Sequence, residues 1–168
     1  ELLYAEEDTD LESTVGALLR GSGCTLSVAE SCTGGLLTSR LTDVAGSSAY
    51  VKGAVVAYAN EIKTSMLNVR EQTLKDFGAV SEPTALEMAI GIRKSFNTSI
   101  GVSITGIAGP GGATDDKPVG LVFVAVSGSN GDMAKKFNFK GERADIKQKA
   151  VEAALVLIQL YLTFEKSF

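Results

Sequence analysis

The sequence predicts an α/β fold, a three-layer α/β/α domain around a mixed sheet. Three observations carry this: helix-like and strand-like segments alternate up to Thr105, two later strand-like segments are joined as a hairpin, and a long apolar segment closes the chain. At 168 residues and 45% hydrophobic content, the chain has material for one core and is read as one domain over 1–168.

The opening Glu6-Glu7-Asp8-Thr9-Asp10 makes residues 1–9 a polar lead-in, a linker from an upstream domain in a chain whose first residue is not Met. Leu11, Val15, Leu18 and Leu19 then recur at helical spacing until Gly21 and Gly23. Cys24 to Ala29 reads as a short apolar strand, followed by a turn at Ser31 and a helix from near Gly35 to about Val44, with Leu36, Leu37 and Leu41 inward. Ala45 to Ser48 is a loop. Tyr50 to Tyr58, rich in valine, alanine and aromatics, is a buried strand, and Asn60 is placed to cap a helix carrying Lys63.

Ser81-Glu82-Pro83 starts a helix to about Phe96, since Pro is tolerated in a first turn whose amides are unpaired anyway. Ile100 to Thr105 is the next strand, and a glycine-rich loop continues from it to Pro118. Val119 to Val126 and Met133 to Phe139 form the hairpin, joined through Ser127 to Gly131; its lysines mark the second strand as a half-exposed edge. The last helix, about Arg143 to Phe164, is apolar nearly all round toward its end, which predicts burial against both the sheet and a second subunit, hence a homodimer.

The charge balance narrows the partners. With 16 basic and 20 acidic residues the net charge is −4, which offers no field for a phosphate backbone and argues against nucleic acid. Two cysteines, Cys24 and Cys32, make neither a disulfide framework nor a zinc site and fit a reducing, cytoplasmic setting. The longest apolar stretch, Ala153 to Leu162, is broken by Gln159 and falls well short of the roughly 20 residues a membrane span needs. An acidic start is also the opposite of a signal peptide.

The strand-to-helix junction at Ser31 is the best functional clue. A tight glycine-containing turn at a helix start leaves amides unpaired, where a phosphate or a developing oxyanion is favoured. Spacing leaves two roles for Ser31, helix cap or nucleophile. The chain has no histidine, so its activation falls to a lysine, a tyrosine, a carboxylate or water. Cys32 is a second candidate nucleophile, or a small packed residue. Lys63 lies five residues after Tyr58, so a strand end and a first helical turn bring both toward one pocket; it is a base if burial lowers its pKa, and an exposed lysine otherwise. Glu30 either orients the site or sits on the surface. The run Thr105 to Gly112 has the glycine content of a phosphate cradle but neither nucleotide-loop order, so it is a ligand loop or a connection needing positive φ. Arg143 reaches a phosphate or pairs with an acidic neighbour.

Taken together and in order, AESCTGG at 29–35, GSS at 46–48, VVAYANEIK at 55–63, AVSEPTA at 79–85 and SITGIAGPGG with KPVG within 103–120 resemble the CinA C-terminal domain family. Members of that family include nicotinamide-mononucleotide amidohydrolases. The resemblance spans nearly the whole chain. Ala113 departs from it, standing where relatives more often have glycine. It implies hydrolysis of a nucleotide carboxamide to nicotinic acid mononucleotide and ammonia in pyridine-nucleotide recycling. Ser31 is then the nucleophile, Lys63 the proton acceptor, and Tyr58 lies nearby. Glu30, Cys32, Thr33, Gly34, Gly35, Ser48, Thr105, Gly106, Gly109 and Arg143 are the implied substrate contacts. Such chemistry calls for a nucleophile, a proton carrier and an oxyanion site, and for neither metal nor cofactor. Members often follow a domain resembling molybdopterin-binding modules. The other reading is a non-catalytic nucleotide-binding or regulatory module linked to competence or DNA damage.

Overall fold

The computed structural model describes residues 10–164; the polar lead-in expected over residues 1–9 lies outside them. Asp10 opens α1 (Leu11–Ser22) by accepting the Ser13 amide at 2.7 Å, and Gly23 closes it at φ 69°. The chain then runs through β1 (Leu26–Glu30), α2 (Leu36–Asp43), a short 3-10 turn (Ser47–Ala49), β2 (Val51–Val56), α3 (Asn60–Leu67), α4 (Glu71–Phe77) and α5 (Glu82–Phe96). It finishes with β3 (Ile100–Gly106), β4 (Leu121–Gly128), β5 (Gly131–Asn138) and α6 (Arg143–Phe164).

The strands form one mixed sheet in the order β2-β1-β3-β4-β5, with β1 parallel to both β2 and β3, and β4 and β5 added antiparallel. From β1 the chain steps outward to β2, then returns past β1 to β3. Right-handed crossovers in opposite directions place their helices on opposite faces. Accordingly α2 packs with α1 and α6 on one side, and α3, α4 and α5 occupy the other. The carboxyl ends of β1 and β3 lie side by side where the path reverses, the place at which open α/β sheets hold ligands.

The two faces are packed by different means. Toward α6 the sheet offers Val28, Val102, Ile104 and Val124 against Leu155 and Ile158 in the largest apolar cluster. Toward α5, β4 offers Leu121 and Phe123, while β3 comes closer: a β-carbon on Gly101 would come within 2.2 Å of the Ala89 carbonyl oxygen, so only glycine lets the helix lie this close. Buried hydroxyls meet the backbone of that layer, with Ser103 donating to the Ala85 carbonyl at 2.6 Å and Thr105 to Ala79 at 2.7 Å.

Several boundaries move from the sequence reading, each for a local reason. Cys24 is part of the α1 cap, its amide donating to Leu19, so β1 starts at Leu26 and runs on to Glu30. Tyr50 ends the 3-10 turn, which shortens β2 to Val51–Val56. Ala59, not Asn60, caps α3. Gly128 pairs with Gly131, so the hairpin loop is two residues, Ser129 and Asn130, rather than five. The short α4 was not anticipated, because seven residues give too little period to read. The apolar girth of α6 is taken up within the chain: Ile146, Ala150, Val151, Ala154, Leu155, Leu157, Ile158 and Leu162 are all buried. That helix therefore does not itself call for a second subunit. α5 starts at Ser81-Glu82-Pro83 as read, with Ser81 as its cap, and β5 is an edge strand with Lys135 and Lys136 exposed. Among the described residues no helix is long and apolar enough to cross a membrane.

One contact tests this layering. A β-carbon on Gly91 of α5 would lie 1.8 Å from the Leu67 carbonyl oxygen at the end of α3. Gly91→Ala gains about 1 kcal/mol of helix propensity, yet backbone against backbone cannot give way cheaply, and overpacking of this kind typically costs about 1–3 kcal/mol. A lower urea midpoint at unchanged m-value is expected, whereas a raised midpoint would mean that α3 and α5 are not in this contact.

Candidate active site

Ser31 follows directly on β1. Its amide donates to the Ile104 carbonyl at 3.0 Å, extending the β1–β3 ladder by one residue. The chain then turns through Ser31-Cys32-Thr33-Gly34-Gly35, with Gly34 and Gly35 at φ 62° and 101°. Gly35 occupies the N-cap position of α2, so Ser31 is not the helix cap, and its hydroxyl faces a cleft of about 250 Å³.

The turn is fastened from beneath by Glu30, which is fully buried. One carboxylate oxygen accepts from Thr33 Oγ1 and the Leu37 amide, both at 2.7 Å; the other accepts from the Thr38 amide at 3.1 Å and Thr38 Oγ1 at 2.8 Å. Two of the four donors are first-turn amides of α2, which have no intrahelical partners and sit at the positive end of the helix dipole. The carboxylate thus does the work of a side-chain cap from the preceding strand. Gly34 donates to the Ser31 carbonyl at 3.1 Å, and among the described residues the Cys32 and Thr33 amides donate to no backbone carbonyl.

Lys63 comes from the first turns of α3 and is only 1% exposed. Its Nζ donates to Ser31 Oγ at 3.2 Å and to the Ala57 carbonyl at 2.8 Å. Burial holds this amine below the usual lysine range. Cys32 lies beside Ser31, and burial pushes its thiol up to about 11, so near neutral pH it is a thiol and not a thiolate nucleophile.

The other walls come from β2's exit, the glycine-rich loop and the start of α6. Arg143 spans the mouth, Nη1 donating to the Gly109 carbonyl at 2.6 Å and Nη2 to the Tyr58 hydroxyl at 3.1 Å. Tyr58 itself is 63% exposed. Among the described residues the ionisable lysine and arginine side chains lining the cleft are Lys63 and Arg143, and no carboxylate lines it. Among the described residues no cluster of His, Cys, Asp and Glu could hold a metal ion.

Of the residues named from sequence, the structure brings Ser31, Cys32, Tyr58, Lys63, Thr105, Gly106, Gly109 and Arg143 together around this cleft. Others lie elsewhere. Glu30 and Thr33 are buried under the turn and bonded to each other, and Gly34 and Gly35 shape the turn without lining the cleft. Ser48 is exposed at the opposite end of β2 from Tyr58, about 20 Å away at ~3.3 Å per strand residue. Gly111 and Gly112 of the Thr105 to Gly112 run also line the cleft; Asn60, read only as a helix cap, and Ala79, Val80, Ile107 and Ala108 join them without having been named as contacts. All of them fall inside the quoted motifs, so the signal was present but not resolved to side chains.

The fold and the site together define a class: an α/β/α domain with a buried lysine on a serine hydroxyl at the carboxyl ends of its parallel strands. The family model for the CinA C-terminal domain matches residues 8–162, and the chain belongs to that family. A CinA-like protein of Chlorobium limicola is 49% identical over 165 residues, covering 95% of this chain and 38% of its own length. The chain thus spans about two-fifths of the curated relatives it matches. The crystal structure of the competence/damage inducible protein CihA from Agrobacterium tumefaciens superposes with a TM-score of 0.87 at 39% identity, over 95% of this chain and 99% of that one. A CinA superfamily protein from Klebsiella pneumoniae gives 0.89 at 33% identity, over 92% and 96%.

The Glu30 arrangement predicts a large cost of truncation. Glu30→Ala leaves the Leu37 and Thr38 amides and two threonine hydroxyls without their acceptor in a buried place, and a loss of about 3 kcal/mol is expected. Chemical denaturation measures it; a change below about 1 kcal/mol would mean that the turn does not depend on this carboxylate.

Proposed function

We propose that this chain hydrolyses the carboxamide of nicotinamide mononucleotide to nicotinic acid mononucleotide and ammonia, with Ser31 as nucleophile and Lys63 as its base. The observation that carries the reading is the 3.2 Å contact between Lys63 Nζ and Ser31 Oγ, made by an amine that burial holds below its ordinary pKa. A serine hydroxyl is a weak nucleophile until a neighbour takes its proton, and in a chain without histidine a desolvated lysine is a suitable acceptor.

In this scheme Lys63, as the neutral amine, accepts the Ser31 proton while Oγ bonds to the carboxamide carbon. The carbonyl oxygen becomes an oxyanion, for which the Cys32 and Thr33 amides are the candidate donors; one such donor is typically worth ~3 kcal/mol. The C–N bond then breaks, and the proton held on Lys63 goes to the departing nitrogen, which leaves as ammonia. Water repeats the sequence on the resulting ester. Its proton passes to Lys63 and then to Ser31 Oγ, and the acid is released. The Arg143 guanidinium at the mouth suits the phosphate of a mononucleotide. Membership in a family whose solved relatives carry competence and damage names leaves the substrate a matter of this chemistry, and the amidase role rests on the Ser31–Lys63 geometry.

Purified chain supplied with nicotinamide mononucleotide and a chelator is expected to release ammonia. Ser31→Ala should lower turnover by about a thousandfold or more with little change in melting temperature. Full turnover by Ser31→Ala would overturn the scheme. Because the base must be unprotonated, kcat/KM should climb with pH along a limb lying below the ordinary lysine value of 10.5 and fall as pH drops through it. A profile with no such limb would remove Lys63 from the role.

A further inference from the structure

Two walls of the cleft are irregular chain: Ala79-Val80, between α4 and α5, and the glycine-rich run that follows β3. The first wall is held by its carbonyls. That of Phe77 accepts from Lys117 Nζ at 2.5 Å, that of Gly78 from Ser81 Oγ at 3.0 Å and Thr84 Oγ1 at 2.7 Å, and that of Ala79 from Thr105 Oγ1 at 2.7 Å. Three successive peptide groups are thus each fixed by a side chain. Because the C=O and N–H of a trans peptide point opposite ways, the Ala79 and Val80 amides are turned away from those donors, and among the described residues neither donates to a backbone carbonyl.

Ser81, Thr84 and Thr105 belong to α5 and β3, but Lys117 comes from the far limb of the second wall. That loop is closed at its base, where the Ile107 amide donates to Leu121 at 2.9 Å and the Gly120 amide to Ile107 at 2.8 Å, and near its tip Thr114 and Lys117 exchange backbone bonds of 2.9 and 3.3 Å. Pro110 to Asp116 are all exposed. Among the described residues, two side-chain hydrogen bonds tie this loop to the rest of the domain, and both run from a cation to a carbonyl: Arg143 to Gly109 on the near limb and Lys117 to Phe77 on the far one. Phe77 ends α4, where unpaired carbonyls carry the negative end of the helix dipole and favour an ammonium.

We infer that Lys117 is a positioning residue for the reaction proposed above: it straps the glycine-rich loop to the Ala79-Val80 wall, so that the two sides of the cleft keep one spacing as substrate enters. The inference rests on the amidase reading for the identity of the substrate, while the strap itself does not require turnover. Lys117 does not line the cleft, so its effect passes through the chain it holds. Without the strap, the exposed stretch from Pro110 to Asp116 is tied on its near limb alone, and the entropy of ordering it falls on substrate binding. The Ser31–Lys63 contact lies on other elements, β1's exit and α3, and is untouched.

The test sets Lys117→Met and Lys117→Arg beside the parent chain with nicotinamide mononucleotide. Lys117→Met should raise KM by about tenfold while kcat stays within about threefold, and Lys117→Arg, which keeps a cationic donor, should recover most of the loss. Amide hydrogen exchange over residues 110–116 should quicken in Lys117→Met and return toward the parent rate in Lys117→Arg. A lower melting temperature with KM unchanged, a loss confined to kcat, or exchange at the parent rate in Lys117→Met would each overturn the strap. If the parent chain releases no ammonia, the amidase reading fails and calorimetric titration with the mononucleotide decides. Binding about tenfold weaker in Lys117→Met and restored in Lys117→Arg then supports the strap; equal binding in all three, or none in the parent, overturns it.

Discussion

The geometry of the site depends on one buried carboxylate. A strand that ends in Glu30 and turns sharply into a helix would ordinarily need a side chain of the turn itself to cap the exposed amides, and Ser31 or Thr33 would be drawn into that role. Here the carboxylate of the last strand residue meets the Leu37 and Thr38 amides instead. Taking a carboxylate out of water is costly unless hydrogen bonds replace the lost hydration, and four donors with the dipole of α2 do so. With the helix start satisfied from below, Gly35 can hold the cap position without a side chain, and the Ser31 hydroxyl is left to the cleft. The candidate nucleophile is available because its neighbour is not.

The same economy of charge runs through the cleft. The chain as a whole is acidic at −4, yet among the described residues the cleft is lined by Lys63 and Arg143 with no carboxylate. Glu30, next to Ser31, is engaged in holding the backbone, and Glu61, two residues before Lys63, is exposed on α3. A carboxylate beside that amine would have stabilised its protonated form and ended its use as a base. The acidic net charge and the basic residues of the cleft refer to different length scales.

The layer order and nearly every element were legible in the sequence, because alternation of period and glycine punctuation are local signals. Ser81-Glu82-Pro83 announced the start of α5 through a proline that only a first turn tolerates. What escaped depended on tertiary context. Nothing in the composition of α4 distinguishes seven residues of helix from a loop, and the apolar girth of α6 could not reveal that α1, α2 and the sheet would cover it. At the site, the motifs named the right segments, but roles within them followed from side-chain direction. Glu30 and Thr33 fall below the turn, Ser31 and Cys32 beside the cleft, and Ser48 at the far end of β2, although all belong to the quoted runs.

A lysine in place of histidine carries a thermodynamic consequence. In the unfolded chain Lys63 has its ordinary value near 10.5, while in the fold burial lowers it, so between the two values the unfolded state binds more protons. Stability contributed at this position therefore rises with pH across that window, and the penalty is fully present below the folded value. The driving force that makes the amine a usable base is the same one that opposes folding when it is protonated. What offsets it is local: the Ala57 carbonyl at 2.8 Å accepts from Nζ in either protonation state, and it is held in place because the Ala57 amide donates to Glu30's own carbonyl at 2.7 Å. Glu30 thus anchors both halves of the pair, Ser31 through its side chain and Lys63 through its backbone. The distance between nucleophile and base is set by one residue at the end of β1.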